Sequence, residues 1–269
     1  MRILDWDRWV AGADGAGRQA AVTVGVFDGL HIGHRVLIER ISGRGGSLER
    51  TVITFRQNPK ELLHPETFHG AVSTLGQKLE SLEESGIGTC VLIDFSGNFS
   101  KLTGTAFLTA LARNGGARYL AIGSDFRCGH RLSTDAVGVR TIGESMGVET
   151  EIVDPVLYHG RAVSSSRIRR AVQEGRMPDA FAMLGRPYVL DLRNLVPAKD
   201  RSAFRYDGIR QVLPPPGEYE AEASTRNGWL KSGLSVLSGE SARIAVPGDQ
   251  IPGFLRFNEV RNAMQRQGV

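Results

Sequence analysis

Gly25-Val26-Phe27-Asp28-Gly29-Leu30-His31-Ile32-Gly33-His34 is the stretch on which the reading of this chain turns. Before it, Val22, Val24 and Val26 alternate within Ala21–Phe27, the period of a strand. After it, Leu37 and Ile41 sit at helical spacing. A strand-to-helix turn rich in glycine lets a phosphate approach the backbone, and the helix start offers unpaired N–H groups and a positive dipole end. His31 and His34, in the pattern HxGH, can donate hydrogen bonds to phosphate oxygens as negative charge moves during transfer. Two histidines in a turn can instead be structural or bind metal. With no nearby cysteine, and no acidic partner beyond Asp28, the metal reading is the weaker one.

Outward from this turn, strand-like and helix-like segments alternate as far as Leu184. Thr51–Phe55, Cys90–Ile93 and Arg118–Ile122 read as strands. Leu75, Leu79 and Leu82, then Phe107, Leu108 and Leu111, mark helical faces. The alternation predicts an α/β fold, a Rossmann-like parallel sheet covered by helices on both faces. Ligands bind such sheets at the carboxyl ends of the strands, so residues just after Phe27, Phe55 and Ile122 are well placed for function. After Pro187 the texture changes. Pro214-Pro215-Pro216-Gly217 breaks the chain, and Glu218–Ala223, Leu234–Leu237 and Ala242–Val246 read as short strands. Asn258–Gln267 reads as a helix. The expected organisation is residues 1–186 as one domain and 187–269 as a small β-rich, barrel-like second one.

The 269 residues carry 33 Lys and Arg against 29 Asp and Glu, a net charge of +4. That excess suits one anion-handling site better than a surface coated for nucleic acid. Cys90 and Cys128 cannot form a disulfide framework, which points to a reducing compartment. The N-terminal residues lack the apolar run of a signal peptide, and no stretch has the ~18 apolar residues of a membrane span. A cytoplasmic protein with no membrane or nucleic-acid partner is expected.

A second motif lies downstream, Val163-Ser164-Ser165-Ser166-Arg167-Ile168-Arg169-Arg170. Three hydroxyls followed by guanidinium groups at a helix start make a phosphate cradle. The same residues also describe an ordinary capped helix with a solvated basic face, and HxGH is what raises the first reading. Lys78 reads as a surface or helix-end charge, and Trp6 and Trp9 as packing residues. His64, His69 and His159 earn no role, and His130 stands out only for its place in the chain.

Taken in order, GxFDGxHxGH, TFxxxP, GxDFRxG, SSxRIR and LGRPY resemble the FMN adenylyltransferase (FAD synthetase) module of bacterial riboflavin kinase/FAD synthetases, over about residues 20–188. The resemblance implies the HIGH nucleotidyltransferase fold. It also implies transfer of AMP from ATP to FMN with Mg²⁺, giving FAD and pyrophosphate without a covalent enzyme intermediate. His31 and His34 then resemble the pair that stabilises the reacting α-phosphate. Gly25, Phe27, Asp28 and Gly29 resemble the loop that shapes the ATP site. Ser164, Ser165, Ser166, Arg167 and Arg169 resemble the segment on the triphosphate, with Arg169 counted as catalytic. Asn58, Asp125 and Phe126 fall on the side where FMN would dock.

Several positions depart from the family pattern. Phe55-Arg56-Gln57-Asn58-Pro59 lacks the usual histidine between two prolines. Cys128 replaces an aromatic residue, Thr134 a glycine, and Ser166 a threonine. The changes gather on the acceptor side, which leaves two alternatives to FMN adenylylation: a nucleotidyltransferase with another acceptor, or a non-catalytic flavin- or nucleotide-binding protein. The stretch from Asp200 to Gly208 has no counterpart of the GRxxGFPTAN-like segment of riboflavin kinase. A shrunken kinase-like domain without riboflavin kinase activity is therefore expected. ATP and FMN are the expected partners, and the sequence does not set the oligomeric state.

Overall fold

The computed structural model describes residues 1–12, 18–44, 46–95, 99–200, 203–226, 228–237, 241–245 and 251–257. The chain forms two compact units. Met1–His64 with Lys78–Leu157 make the first, and Pro65–Gln77 with Tyr158–Val269 make the second.

The first unit is built on six strands: β1 (Arg2–Asp5), β2 (Ala20–Val24), β3 (Glu49–Phe55), β4 (Thr89–Ile93), β5 (Ala117–Gly123) and β6 (Glu149–Val153). They stand in the order β1-β4-β3-β2-β5-β6, and every neighbouring pair is parallel. All residues of β2 and β4 are buried. Such continuous apolar runs belong to strands covered on both faces. The covering helices are α1 (Trp6–Val10), α2 (Ile32–Ser42), α3 (Pro59–Leu63), α4 (Leu75–Glu84, in this unit from Lys78 onward), α5 (Gly104–Thr109) and α6 (Ala136–Ser145). From β2 the chain adds β3 and β4 on one side, then crosses to place β5 and β6 on the other. That reversal beside β2 is where parallel sheets open a crevice for ligands.

Two details differ from the sequence expectation. The strand expected through Phe27 ends at Val24, although the Gly25 N–H still bonds the Ile53 carbonyl at 3.1 Å. Phe27 has φ 51°, in the left-handed region no strand can use. The N-terminal residues form the edge strand β1, followed by α1. Trp6 and Trp9 pack as expected. The Trp6 ring stacks on Phe107 (centroids 5.5 Å apart) and meets Phe99 edge-on (5.4 Å).

The second unit contains α7 (Ser165–Gln173), α8 (Met177–Leu184) and a curled seven-stranded sheet. Its strands are β7 (Val189–Asp191), β8 (Ala198–Asp200), β9 (Ala203–Tyr206), β10 (Gly217–Thr225), β11 (Gly228–Val236), β12 (Ala242–Ala245) and β13 (Phe254–Phe257). The order β7-β13-β10-β11-β12-β9-β8 is antiparallel throughout. The β-rich, barrel-like expectation is met, and the three strands read from sequence fall on β10, β11 and β12, with Leu237 one residue beyond the end of β11. Val246 and the helix expected over Asn258–Gln267 lie outside the described residues. Residues 65–77 belong here because of a buried polar network. The Gln211 amide donates to the Val72 and Val189 carbonyls (3.0 Å each) and accepts the Asp191 N–H (2.7 Å). Asp191 accepts from Thr74 Oγ1 (2.8 Å) and Arg193 Nε (2.9 Å). Burial pushes its carboxyl up, but the bonds from Arg193 and Thr74 outweigh that and hold it below the usual range. No described helix is long and apolar enough to cross a membrane.

Trp6 fills the space between α1 and α5 as a large, nearly buried ring. Trp6→Ala should cost about 3–5 kcal/mol of stability, read from denaturant unfolding of the whole chain.

Candidate active site

The turn from β2 into α2 is tightly built. Gly29 has φ 87°, and two non-glycine residues, Phe27 (φ 51°) and Leu30 (φ 42°), also adopt left-handed backbone. Such conformations cost about 1–3 kcal/mol each and persist only where the surroundings over-determine them. Here burial does so, since Phe27 and Leu30 are both inside the core. A side chain at residue 25 would press on the Phe27 ring at 3.2 Å, so Gly25 makes room for that ring. Phe27 in turn meets His34 edge-on, with centroids 5.0 Å apart.

His31 is the N-cap of α2. Its Nδ1 accepts the His34 N–H at 3.3 Å. The imidazole proton therefore sits on Nε2, which is left as a donor. The two imidazoles stack face to face, with centroids 3.5 Å apart and 14° between planes. Burial lowers the His31 pKa to about 4. Burial, then the charges of His31 and Lys78, holds His34 well below the ordinary histidine value. Both rings are neutral at pH 7. His34 Nδ1 is buried without a hydrogen-bond partner, a polar atom this structure leaves unused.

Lys78 corrects the sequence reading. It is not a surface charge, being only 6% exposed. Its Nζ donates to the Phe55 carbonyl (3.0 Å) and to Thr54 Oγ1 (3.3 Å) at the end of β3. Burial lowers its pKa to about 8, against the opposing pull of the Asp28 carboxylate. Asp28 is itself buried. A signal was present: with Leu75, Leu79 and Leu82, residue 78 completes the i, i+3, i+4, i+7 stripe of α4. A lysine on that stripe points inward.

Asn58 on one side, and Asp125, Phe126 and Cys128 on the other, follow strands β3 and β5, the two neighbours of β2. Asn58 is the N-cap of α3, its Oδ1 accepting the Lys60 N–H at 3.0 Å. Asp125 is exposed just beyond β5, while Phe126 and Cys128 pack against the core from the partly buried rim. Thr134 lies against Gly104 so closely that a side chain at 104 would meet its Oγ1 at 2.2 Å. His130 Nδ1 lies 3.1 Å from the Ser100 carbonyl.

The Ser-Arg motif opens α7 in the second unit. Ser164 Oγ caps the helix by accepting the Arg167 N–H at 3.3 Å. The Arg167 guanidinium is committed to backbone, donating to the carbonyls of Arg161 (2.6 Å), Ala162 (2.8 Å) and Tyr158 (3.1 Å). Arg169 donates to Ser166 Oγ at 3.3 Å and lies 5.4 Å over the Phe68 ring. Arg170 pairs with Glu174 on the exposed side. Ser165 and Ser166 stand in the first turn, where backbone N–H groups have no intrahelical acceptor.

With this geometry in view, residues 14–167 match the FAD synthetase family. The chain belongs to that family. Among its relatives, the bifunctional riboflavin kinase/FMN adenylyltransferase of Escherichia coli is 29% identical over 175 residues, covering 64% of this chain and 56% of that protein. The protein of that name from Haemophilus influenzae is 22% identical over 225 residues, covering 81% and 73%. The chain thus spans little more than half the length of the first relative. A solved structure titled macrolide-efflux protein, from Streptococcus pneumoniae, superposes with a TM-score of 0.83 at 21% identity, over 100% of this chain and 94% of that one. That likeness concerns the fold.

A histidine buried in its neutral form makes folding oppose protonation. The unfolded chain takes up its proton near pH 6.5, whereas folded His31 waits until about 4. Stability should therefore fall as pH drops from 6.5 towards 4. His31→Asn should flatten that slope in a series of urea unfolding curves.

Proposed function

We propose that the chain transfers the adenylyl group of ATP to FMN, releasing pyrophosphate and forming FAD. The observation that carries this reading is the neutral, stacked His31–His34 pair at the start of α2, at the carboxyl end of a parallel sheet, in a chain of the FAD synthetase family. A terminal phosphate oxygen of FMN attacks the α-phosphorus of ATP. The bond from that phosphorus to the bridging oxygen breaks, and pyrophosphate leaves with the electron pair. No proton needs to move from the protein, so positioning and charge stabilisation dominate.

Neutral imidazoles suit this role. A stacked imidazolium pair would repel itself, whereas the Nε2–H of His31 can bond a non-bridging oxygen as charge builds there. Gly25, Phe27, Asp28 and Gly29 shape the turn around the nucleotide. Ser164, Ser165, Ser166 and Arg169 are assigned to the triphosphate, with Arg169 on the leaving pyrophosphate. Arg167 serves that segment by bracing the chain before α7. The Ser165 and Ser166 hydroxyls are hard oxygen donors of the kind Mg²⁺ accepts beside phosphate oxygens and water, and Mg²⁺ arriving with ATP would shield the phosphate charge. Asn58, Asp125 and Phe126 are assigned to the flavin side. Residues 1–186 form the catalytic module in this reading. Residues 187–269 form a domain without riboflavin kinase activity, since the stretch from Asp200 to Gly208 lacks the kinase segment.

The test is direct. Protein incubated with ATP, Mg²⁺ and FMN should release pyrophosphate and FAD in equal amounts, and no FAD overturns the reading. His31→Ala should lower kcat by about 10²–10³-fold, the usual cost of one such donor. Riboflavin supplied with ATP should yield no FMN; its phosphorylation would show a working kinase domain.

A further inference from the structure

We propose that Lys78 is a positioning residue of the adenylyl-transfer site, its ammonium gripping the end of β3 and, through Thr54, the turn that carries Asp28, His31 and His34. The proposal rests on the adenylyl-transfer reading and adds a residue that the sequence motifs do not contain.

The grip is a directed chain of hydrogen bonds. Lys78 Nζ donates to Thr54 Oγ1 at 3.3 Å, and Thr54 Oγ1 donates onward to the Val26 carbonyl at 2.9 Å. The hydroxyl has one proton, spent on Val26, so it must accept from Lys78. A second ammonium proton holds the Phe55 carbonyl at 3.0 Å. Val26 lies two residues before Asp28, within the turn whose backbone is strained at Phe27 and Leu30. A strained turn keeps its shape only when held from outside, and this chain supplies a hold from β3 and α4.

The charges facing Lys78 come from every element around it. Asp28 lies on the turn after β2, His34 on α2 and Cys90 on β4. Burial pushes the Cys90 thiol up to about 12, so it stays protonated. His34 is neutral, leaving Asp28 as the counter-charge. Burial brings the Lys78 pKa down to about 8. The sign follows from the unfolded value near 10.4. Between about 8 and 10.4 the unfolded chain holds the proton that the folded chain has lost, so burying this ammonium weighs against folding below about 8 and is relieved as pH rises. A charge kept at that cost, beside a phosphate-binding turn, is the pattern of a functional group. Above about pH 8 the ammonium becomes an amine, the attraction to Asp28 disappears, and the grip loosens.

Two measurements on the full chain test this. In ¹⁵N–¹H spectra recorded from pH 6.5 to 9.5, the backbone amides of Asp28 and Gly29 should share a transition centred near pH 8. Lys78→Arg, which keeps its charge at every pH in the range, should abolish it. In FAD synthesis assays, kcat/KM should fall above about pH 8, and that limb should move up by at least one unit in Lys78→Arg. Lys78→Met should lower kcat rather than raise KM, by up to about 10²-fold as for a misplaced reacting group, with Lys78→Arg recovering most of the loss. Amides that do not titrate near pH 8, or that titrate unchanged in Lys78→Arg, overturn the proposal. If Lys78→Arg does not fold, Thr54→Val decides at the Phe27 amide, which shares its peptide unit with the Val26 carbonyl and should show the pH 8 transition in the wild type: losing the relay oxygen must remove that transition, and an unchanged one overturns the grip. Wild-type protein that makes no FAD at any pH overturns the adenylyl-transfer reading, while the spectra decide the grip without turnover.

Discussion

The turn between β2 and α2 is held in a shape that its own backbone resists. Phe27 and Leu30 sit in left-handed conformations, and neither is a glycine. What stabilises them is burial of both side chains and a column of rings, Phe27 against His34 and His34 against His31. The column needs Gly25 without a side chain, and it needs both imidazoles neutral. Neutrality follows from burial, which disfavours each imidazolium, and at His34 the charges of His31 and Lys78 act in the same direction. One constraint thus sets the backbone, the protonation state and the direction of the free N–H. The parallel sheet adds the last element by opening its crevice where strand order reverses beside β2.

Much of this was legible from local pattern. Strands buried on both faces are written as apolar runs, and the runs at Thr51–Phe55, Cys90–Ile93 and Arg118–Ile122 all fall within strands of the sheet. HxGH and SSxRIR mark helix starts, and both motifs cap helices in the structure. What local pattern cannot carry is the partner across space. β1 gains its place only by pairing with β4, nearly ninety positions away, and four residues alone have no strand signal to offer. Residues 65–77 join the second unit through Gln211 and Asp191, whose bonds connect segments more than a hundred positions apart. Lys78 was misread for a related reason. Long basic side chains usually reach water, so a lysine on an apolar stripe is easily taken for a snorkelling surface group. The carbonyl of Phe55, the hydroxyl of Thr54 and the buried carboxylate of Asp28 explain why it turns inward.

Two arginines that look equivalent in the motif have different work in the structure. Arg167 is spent on three backbone carbonyls before α7, which fixes the approach of the chain to the helix. Arg169, two residues on, touches the Ser166 hydroxyl and the face of Phe68. Guanidinium groups bound to carbonyls are neutralised in geometry but not in charge, so Arg167 still contributes positive potential near the helix start. The dipole of α7 adds to it at the same end. A segment that reads as one basic cluster therefore divides into a brace and a ligand-facing candidate.

The departures from the family pattern also divide once their surroundings are known. Thr134 is matched by Gly104, whose missing side chain leaves the space its hydroxyl and methyl fill. Cys128 packs against the core of the first unit, as a small apolar group does. Both changes have packing reasons that do not involve an acceptor. Asn58 is different. Its Oδ1 is occupied in capping α3, which leaves the amide N–H₂ as the part able to meet a ligand. A histidine there could change charge near neutral pH, whereas this amide is a fixed neutral donor. In the proposed reading the flavin side loses a titrating group at Asn58 and a proline at Gln57, and keeps the Asn58 amide as a donor. FMN carries both anionic and carbonyl acceptor atoms, so the departure at Asn58 is compatible with the proposed FMN reading.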